Sequence, residues 1–372
     1  MNTTIVFDTS ITGHNLEYIH HIYLGAVKNN TRKYVFAIPE DFNNVKEKLE
    51  WEESENVSFH LMSKEELTPA KKNSWYKSYH NSKLLRKILK QHNADKAILV
   101  VMAQILPFVF ILPRKVRISG ILYFIYLYKW NKLGLYNKFK EILNYLTIRL
   151  FKRVEKAYIL NDKVACRYFN KIYKTRKFKY IVDPAPKEFK KDPTITRQTL
   201  GIEEDATIYL HFGSLAKRKG TLDILECIAK LKKGNCYIFA GKVGNDIYKE
   251  FYQKVDELKK EYNIIIFDEF CSFEKIAALC SLSDFLLMPY KEVYQSSGLI
   301  GYASLYNTPV IANSKGMLGK LVRQFRLGYS IDFSDIENAC KAILEIEKRK
   351  INISNEYIRT HKVSEFTKTI IA

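Results

Sequence analysis

Disulfide chemistry and metal ligation are poorly supplied in this chain. Its 372 residues hold six cysteines, Cys166, Cys227, Cys236, Cys271, Cys280 and Cys340, with no CxxC pair and no metal-ligand spacing beside a histidine. They are expected to be small core hydrophobes in a reducing compartment, and neither a disulfide nor a metal site is expected. The N-terminus MNTTIVFDTS lacks a basic stretch followed by an apolar one, so no secretory signal is expected and a cytoplasmic location is. The most apolar window, ILVVMAQILPFVFIL at 98–112, is too short to span a bilayer and contains Gln104 and Pro107. It reads as a buried strand, a turn and a short helix. Short repeats, low-complexity tracts and recognised nucleic-acid motifs are missing as well.

What is present is apolar mass and an uneven charge. Hydrophobic residues make up 47% of the chain, enough with this length for two cores, and the length favours two domains. Residues 1–183 carry 32 Lys+Arg against 16 Asp+Glu, whereas residues 184–372 carry 28 against 24. Most of the net +20 therefore sits in the first half. Such a field concentrates anionic partners: nucleic acid, an acidic membrane surface or a phosphorylated substrate.

Strand and helix signals alternate along both halves. Strands are expected at 3–9, 33–39, 57–62, 97–102, 116–124 and 156–162, with helical patterns such as SKLLRKILKQH between several of them. KKDPTITRQTLGIEEDA at 190–206 breaks the rhythm, which restarts with strands at 207–213, 236–241, 264–270, 284–290 and 308–312. This order predicts an α/β protein of two Rossmann-like, doubly wound domains facing across a cleft. The first should occupy 1–185 and the second 186–355, with 356–372 packing back toward the first.

Ligands of open α/β sheets bind beyond the carboxyl ends of the strands, which directs attention to three loops. In HFGSLAKRKGTLDIL (211–225), Lys217, Arg218 and Lys219 stand between a strand end at Gly213 and a helix start at Gly220. That arrangement suits a diphosphate, although a solvated basic turn has the same pattern. In MPYKEVYQSSGLIGYASL (288–305), Ser296, Ser297 and Gly298 precede a helix where a phosphate or a ribose could meet free NH groups, unless Ser297 is a plain N-cap. In SITGHNLEYI (10–19), Gly13 lets a ligand approach the backbone and places His14 at the same turn.

Taken together, these segments resemble the GT-B glycosyltransferases, specifically the large retaining family 4. Gly213 to Gly220 is similar to that family's Gly-Arg-Leu…Lys-Gly loop, FAGKVGN (239–245) to its next Gly-rich loop, and DFLLMPY to its strand ending in Pro. YASLYNTPVIANSKGMLGKLV is similar to its Glu-Ala-Met-Ala-x-Gly-x-Pro-Val-Ile segment. The resemblance implies that Lys219, expected to stand exposed in a cleft, grips the donor diphosphate. Ser214 occupies the place of the companion arginine, with Arg218 as its substitute. Tyr294 and Tyr302 stand where the family has two glutamates that contact the sugar and the ribose, and QSSG is similar to a variant turn found in many branches. Gly241 and Lys242 would line the donor site, and Phe270 falls where the nucleobase is held. The first domain resembles the family less, through TGHNLEY and ISGILYF, and the histidine often found after a later strand is not evident.

The resemblance further implies transfer of a hexose-type sugar, with retention, from a UDP- or GDP-linked donor to a saccharide or lipid-linked saccharide in bacterial surface-polysaccharide synthesis. Lys219, Arg218 and His14 would be the catalytic residues, and no metal or cofactor would be needed. Residues 129–156 carry eight Lys+Arg against two acids, with Phe139, Ile142, Leu143, Leu146, Leu150 and Val154 at helical spacing. This is either a sheet-covering helix or a contact with an anionic membrane surface on the inner face of the cytoplasmic membrane. The alternatives are a sugar-nucleotide epimerase of the same fold and a basic nucleic-acid-binding protein. Against the latter, the charge sits in the half without the donor loops.

Overall fold

The segment TTIVF forms the first strand, β1 (Thr3–Phe7), in which Ile5 and Phe7 face one side of a sheet and Val6 the other, all three fully buried. A strand buried on both faces belongs inside a parallel sheet covered by helices on each side. The computed structural model describes residues 2–11, 14–46, 51–71, 73–123, 125–292, 297–349 and 351–372, and they divide into two units, Met1–Asp183 with Val363–Ala372, and Pro184–Lys362.

In the first unit β1 is followed by α1 (His14–Val27), β2 (Lys33–Pro39), the single-turn α2 (Asn43–Lys46), β3 (Val57–Met62), α3 (Lys64–Leu67) and α4 (Ser74–Gln91). Then come β4 (Lys96–Leu99), β5 (Arg117–Leu122), α5 (Leu135–Leu150), β6 (Val154–Leu160), α6 (Lys163–Ile172) and β7 (Phe178–Ile181). The seven strands run parallel in the order β3-β2-β1-β4-β5-β6-β7, with Val6 between Phe36 and Ile98. That order is the doubly wound one, in which the chain reverses direction beside β1. The window at 98–112 forms the end of β4 and two 3-10 turns, Met102–Gln104 and Phe108–Ile111.

The second unit holds β8 (Ile208–Phe212), α7 (Thr221–Ile228), β9 (Cys236–Ala240), α8 (Tyr248–Leu258), β10 (Asn263–Phe267), α9 (Phe273–Leu282) and β11 (Phe285–Met288). It continues with α10 (Leu299–Leu305), β12 (Val310–Asn313), α11 (Gly316–Gln324), β13 (Gly328–Ile331), α12 (Ile336–Glu347) and α13 (Glu356–Thr360). Its six parallel strands are ordered β10-β9-β8-β11-β12-β13, and Leu210 of β8 lies between Ile238 and Leu286. Five of the six cysteines are buried, and Cys271 is partly so.

The final helix, α14 (Val363–Ile371), belongs to the first unit. It packs on α1, where Gly25 permits the approach: a Cβ there would stand 2.9 Å from Cβ of Thr367. The buried Lys96 of β4 donates to the Ile371 carbonyl at 3.0 Å, and the Tyr158 hydroxyl donates to the Thr369 carbonyl at 2.7 Å. The returning segment thus begins at 363 rather than 356, because α13 packs on α10 in the second unit. Strands β7 and β13 were not anticipated from the sequence, since FKYI and GYSI mix polar with apolar residues.

Candidate functional site

The second unit gathers its chemistry where β8 ends. Gly213 leaves the strand at φ +88°, and Lys217–Lys219 form one 3-10 turn that Gly220 closes at φ +72° before α7 begins. Both glycines are required here: a Cβ on Gly220 would lie 2.4 Å from the Pro289 carbonyl oxygen, and one on Gly213 would lie 2.7 Å from Lys219 Nζ. The space that Gly213 leaves empty is therefore taken by the lysine head.

Lys219 is only 7% exposed, which corrects the expectation of an exposed residue. Its ammonium lies 5.4 Å from the centre of the Tyr290 ring, a cation–π distance. Burial, with a smaller contribution from Arg218, pushes its pKa down to about 7. A cation so poorly solvated gains more than an exposed one from an arriving anion. Arg218 and Lys217 are exposed, and the Arg218 carbonyl accepts from the NH groups of Lys291 and Glu292 at 2.9 and 3.2 Å, which ties this loop to the one after β11.

Beneath the turn lies a network the sequence reading missed. The buried His211 meets the Leu287 carbonyl through Nδ1 at 2.9 Å and the Thr221 hydroxyl through Nε2 at 3.0 Å. That hydroxyl also accepts from the Ala216 NH at 3.0 Å. Burial holds the His211 pKa down at about 4, so the ring is neutral and acts as a spacer between β11 and α7. The signal was a histidine inside a fully buried strand, IYLHF.

The loop after β11 supplies the other wall. Ser297 is buried and its hydroxyl lies 3.4 Å from that of Tyr290, while Gly298 takes the N-cap position of α10. Ser297 is thus no plain N-cap. Tyr302 is 5% exposed and meets Phe212 edge to face at 5.9 Å, close to the carboxyl end of β8. Asn313, at the end of β12, donates to the Tyr290 carbonyl at 3.0 Å and braces the same loop. Tyr294 and Ser296 lie outside the described residues.

Gly241 follows β9 at φ +147°, and a Cβ there would fall 1.9 Å from the Gly213 carbonyl oxygen, so the two strand ends touch backbone to backbone. Ser214 is exposed on this rim. Lys242 is exposed too, but it pairs with Asp268 at 3.2 Å, and Asp268 also accepts from the Val243 NH at 2.9 Å and the Tyr252 hydroxyl at 3.0 Å. Phe270 is 90% exposed beyond β10, so its ring lies in no enclosed apolar pocket. Among the described residues, no group of three or more His, Cys, Asp or Glu side chains could hold a metal ion.

In the first unit, Gly13 lies outside the described residues and His14 is described only as the backbone start of α1. The same end of the sheet carries a carboxylate the sequence reading did not single out. Asp8, fully buried after β1, accepts from the Ser10 NH at 3.0 Å and from Gln104 Nε2 at 2.8 Å, and burial pushes its pKa up to about 7. Helix α5 turns Tyr145 and Ile148 into the core, whereas Phe139, Ile142 and Leu150 are exposed. Of the stripe the spacing suggested, Leu146 packs against the core and the buried Val154 opens β6 instead of continuing the helix, so the core face of α5 is only partly the expected one.

Residues 192–362 match the family described as Glycosyl transferases group 1. An uncharacterized 41.2 kDa protein in the cps region of Klebsiella pneumoniae is 25% identical over 180 residues, 43% of this chain and 48% of that protein, so the match spans about half of the relative's length. Along its whole length, the chain has the fold of Anabaena Alr3699/HepE, solved with UDP and glucose (TM-score 0.72, 16% identity, 100% of this chain and 98% of that one). WaaG, a glycosyltransferase involved in lipopolysaccharide biosynthesis, is similar in the same way (TM-score 0.66, 14% identity, 100% and 95%). The loops built around Gly213, Lys219 and Ser297 thus lie within the residues that match the Glycosyl transferases group 1 family, on a chain that shares the α/β fold of these solved structures.

Proposed function

We propose that the protein transfers a hexose-type sugar, with retention, from a UDP- or GDP-linked donor to a hydroxyl of a saccharide or lipid-linked saccharide in bacterial surface-polysaccharide assembly. The observation that carries this reading is Lys219, an ammonium buried beside Gly213 and near the Tyr290 ring at the carboxyl end of β8. The group 1 match over that region, the cps location of the Klebsiella relative and the ligands of Anabaena HepE support it.

In this reading the acceptor oxygen bonds to the anomeric carbon as the bond from that carbon to the diphosphate breaks. The electron pair goes to the diphosphate oxygen, which takes the acceptor proton on the same face. Lys219, Arg218 and the NH groups near Ser297 and Gly298 stabilise the charge growing there. In the same reading His14 takes a catalytic role and Tyr302 contacts the ribose. The cationic side chains do what a metal does in other enzymes, so transfer should persist in a chelator. The basic first unit holds the protein on the inner face of the cytoplasmic membrane. Among the described residues, no helix is long and apolar enough to cross one.

The test is product analysis with UDP- and GDP-sugars and a lipid-linked saccharide fraction. Nucleoside diphosphate and an extended acceptor should appear together, and Lys219→Ala should slow both about a hundredfold or more, the usual effect of losing one preorganised charge-stabilising donor. Free nucleoside diphosphate without a transferred sugar would favour the epimerase or a hydrolase. Activity within threefold of the parent in Lys219→Ala would remove the donor-site assignment.

A further inference from the structure

The exposed apolar residues of the first unit are concentrated on two helices. On α5 Leu135 (86% exposed), Phe139 (62%) and Ile142 (39%) share one face at helical spacing, with Tyr136 and Leu150 exposed on the same helix, and on α6 Val164, Tyr168 and Ile172 (55, 41 and 48%) do the same. Two such stripes on one unit mark an interaction surface rather than scattered exposed residues. Between them opens a cavity of about 720 Å³, lined among others by Tyr128, Trp130, Lys132, Ile142, Tyr168 and Ile172. That volume lies within the range of sites that enclose a small molecule.

The wall offers rings and aliphatic groups more than open hydroxyls. Two of the lining tyrosines, Tyr126 and Tyr173, bond to each other at 2.8 Å, and Tyr128 donates to Asp162, the N-cap of α6. A bare saccharide would need several free polar partners to replace its water. The surroundings, by contrast, are cationic: residues 126–173 carry eleven Lys+Arg against three acids. Lys132 lines the cavity, and Lys138 stands 5.2 Å from the centre of the Trp130 ring. A half-open, mostly apolar hollow with apolar approaches and a basic surround is complementary to an amphiphile with one chain and an anionic head.

We infer that this cavity holds the apolar chain of a lipid phosphate or diphosphate, with Lys132 and Lys138 at its head. The inference rests on the reading of a lipid-linked acceptor, and it adds that the lipid is held as a single molecule and not only as a surface. Occupancy would put the phosphate-bearing end of the acceptor near the carboxyl ends of β5 and β6, from which the cavity's segments emerge.

The test is calorimetric titration of the whole chain with dodecyl phosphate kept below its micelle concentration, beside decyl phosphate, dodecyl maltoside and inorganic phosphate. One saturable site is expected for dodecyl phosphate. Decyl phosphate should bind roughly sixteenfold more weakly, about fourfold per buried methylene, and the other two probes should bind least. Ile142→Glu and Ile172→Glu, at partly exposed positions, should each weaken binding at least tenfold while the thermal midpoint stays within a few degrees. Affinity independent of chain length, or unaffected by both substitutions, would overturn the assignment whether or not the variants fold well. Anionic vesicles separate the two readings. Vesicle binding without dodecyl phosphate binding would overturn the cavity and leave the membrane surface. Dodecyl phosphate binding without vesicle binding would support the cavity and remove the surface.

Discussion

Lys219 sits over the Tyr290 ring with its pKa lowered from 10.5 to about 7. The unfolded chain keeps this lysine protonated up to its ordinary pKa, whereas the folded chain releases the proton above about pH 7. The unfolded state therefore binds more protons between about 7 and 10.5, and this residue's contribution to stability rises with pH across that window. Below it, the buried charge is a standing cost. Lys219→Ala should therefore lose that pH-dependent gain and unfold at or above the parent's temperature near pH 7, as read by melting curves at stepped pH. A clear drop in stability at pH 7 would mean that the lysine is a structural prop. Arg218→Ala should weaken nucleotide binding without changing the melting temperature, because its side chain is exposed. If only Lys217→Ala weakens binding, the loop register is wrong. Tyr302→Glu would place a carboxylate at a 5% exposed position, so a loss of stability should accompany any change in donor affinity.

At the scale of elements, most of the fold could be read from the sequence because its strands are short apolar runs such as IIIF and FLLM, bounded by turns. The strands that escaped, β7 and β13, are specified by pairing with β6 and β12 rather than by their own composition. The spacing of Gly213, Lys219 and Gly220 was legible for the same local reason. The burial of Lys219 was not, since Tyr290 comes from some seventy residues away. Asp8 and Gln104 are brought together only by the pairing of β1 with β4. The contact of α1 with α14 gives a direct test of the returning helix. Alanine is the better helix former, yet at position 25 its Cβ would lie 2.9 Å from Cβ of Thr367. Overpacking of this kind typically costs about 1–3 kcal/mol against a propensity gain of about 1. Gly25→Ala should thus lower the unfolding midpoint by a few degrees, and a raised midpoint would show that the two helices do not pack as described.

Over the whole molecule, charge and chemistry are divided between the units. The excess of basic residues lies in residues 1–183, together with the exposed α5 and α6 stripes, and the glycine- and lysine-bearing loop after β8 lies in the second unit. Co-sedimentation with anionic vesicles is expected to fall as salt rises and to be absent with neutral ones, since screening weakens surface attraction. Salt-dependent retention of oligonucleotides at physiological ionic strength would favour the nucleic-acid reading instead. The central claim, that Lys219 anchors a donor diphosphate, is tested most directly by thermal unfolding of the parent and Lys219→Ala with UDP, GDP and ADP, because a ligand bound only to the native state raises its stability by mass action. The account predicts that UDP or GDP raises the midpoint of the parent by several degrees and leaves that of Lys219→Ala unchanged. An equal rise in both proteins, or no rise with any of the three in the parent, would contradict it.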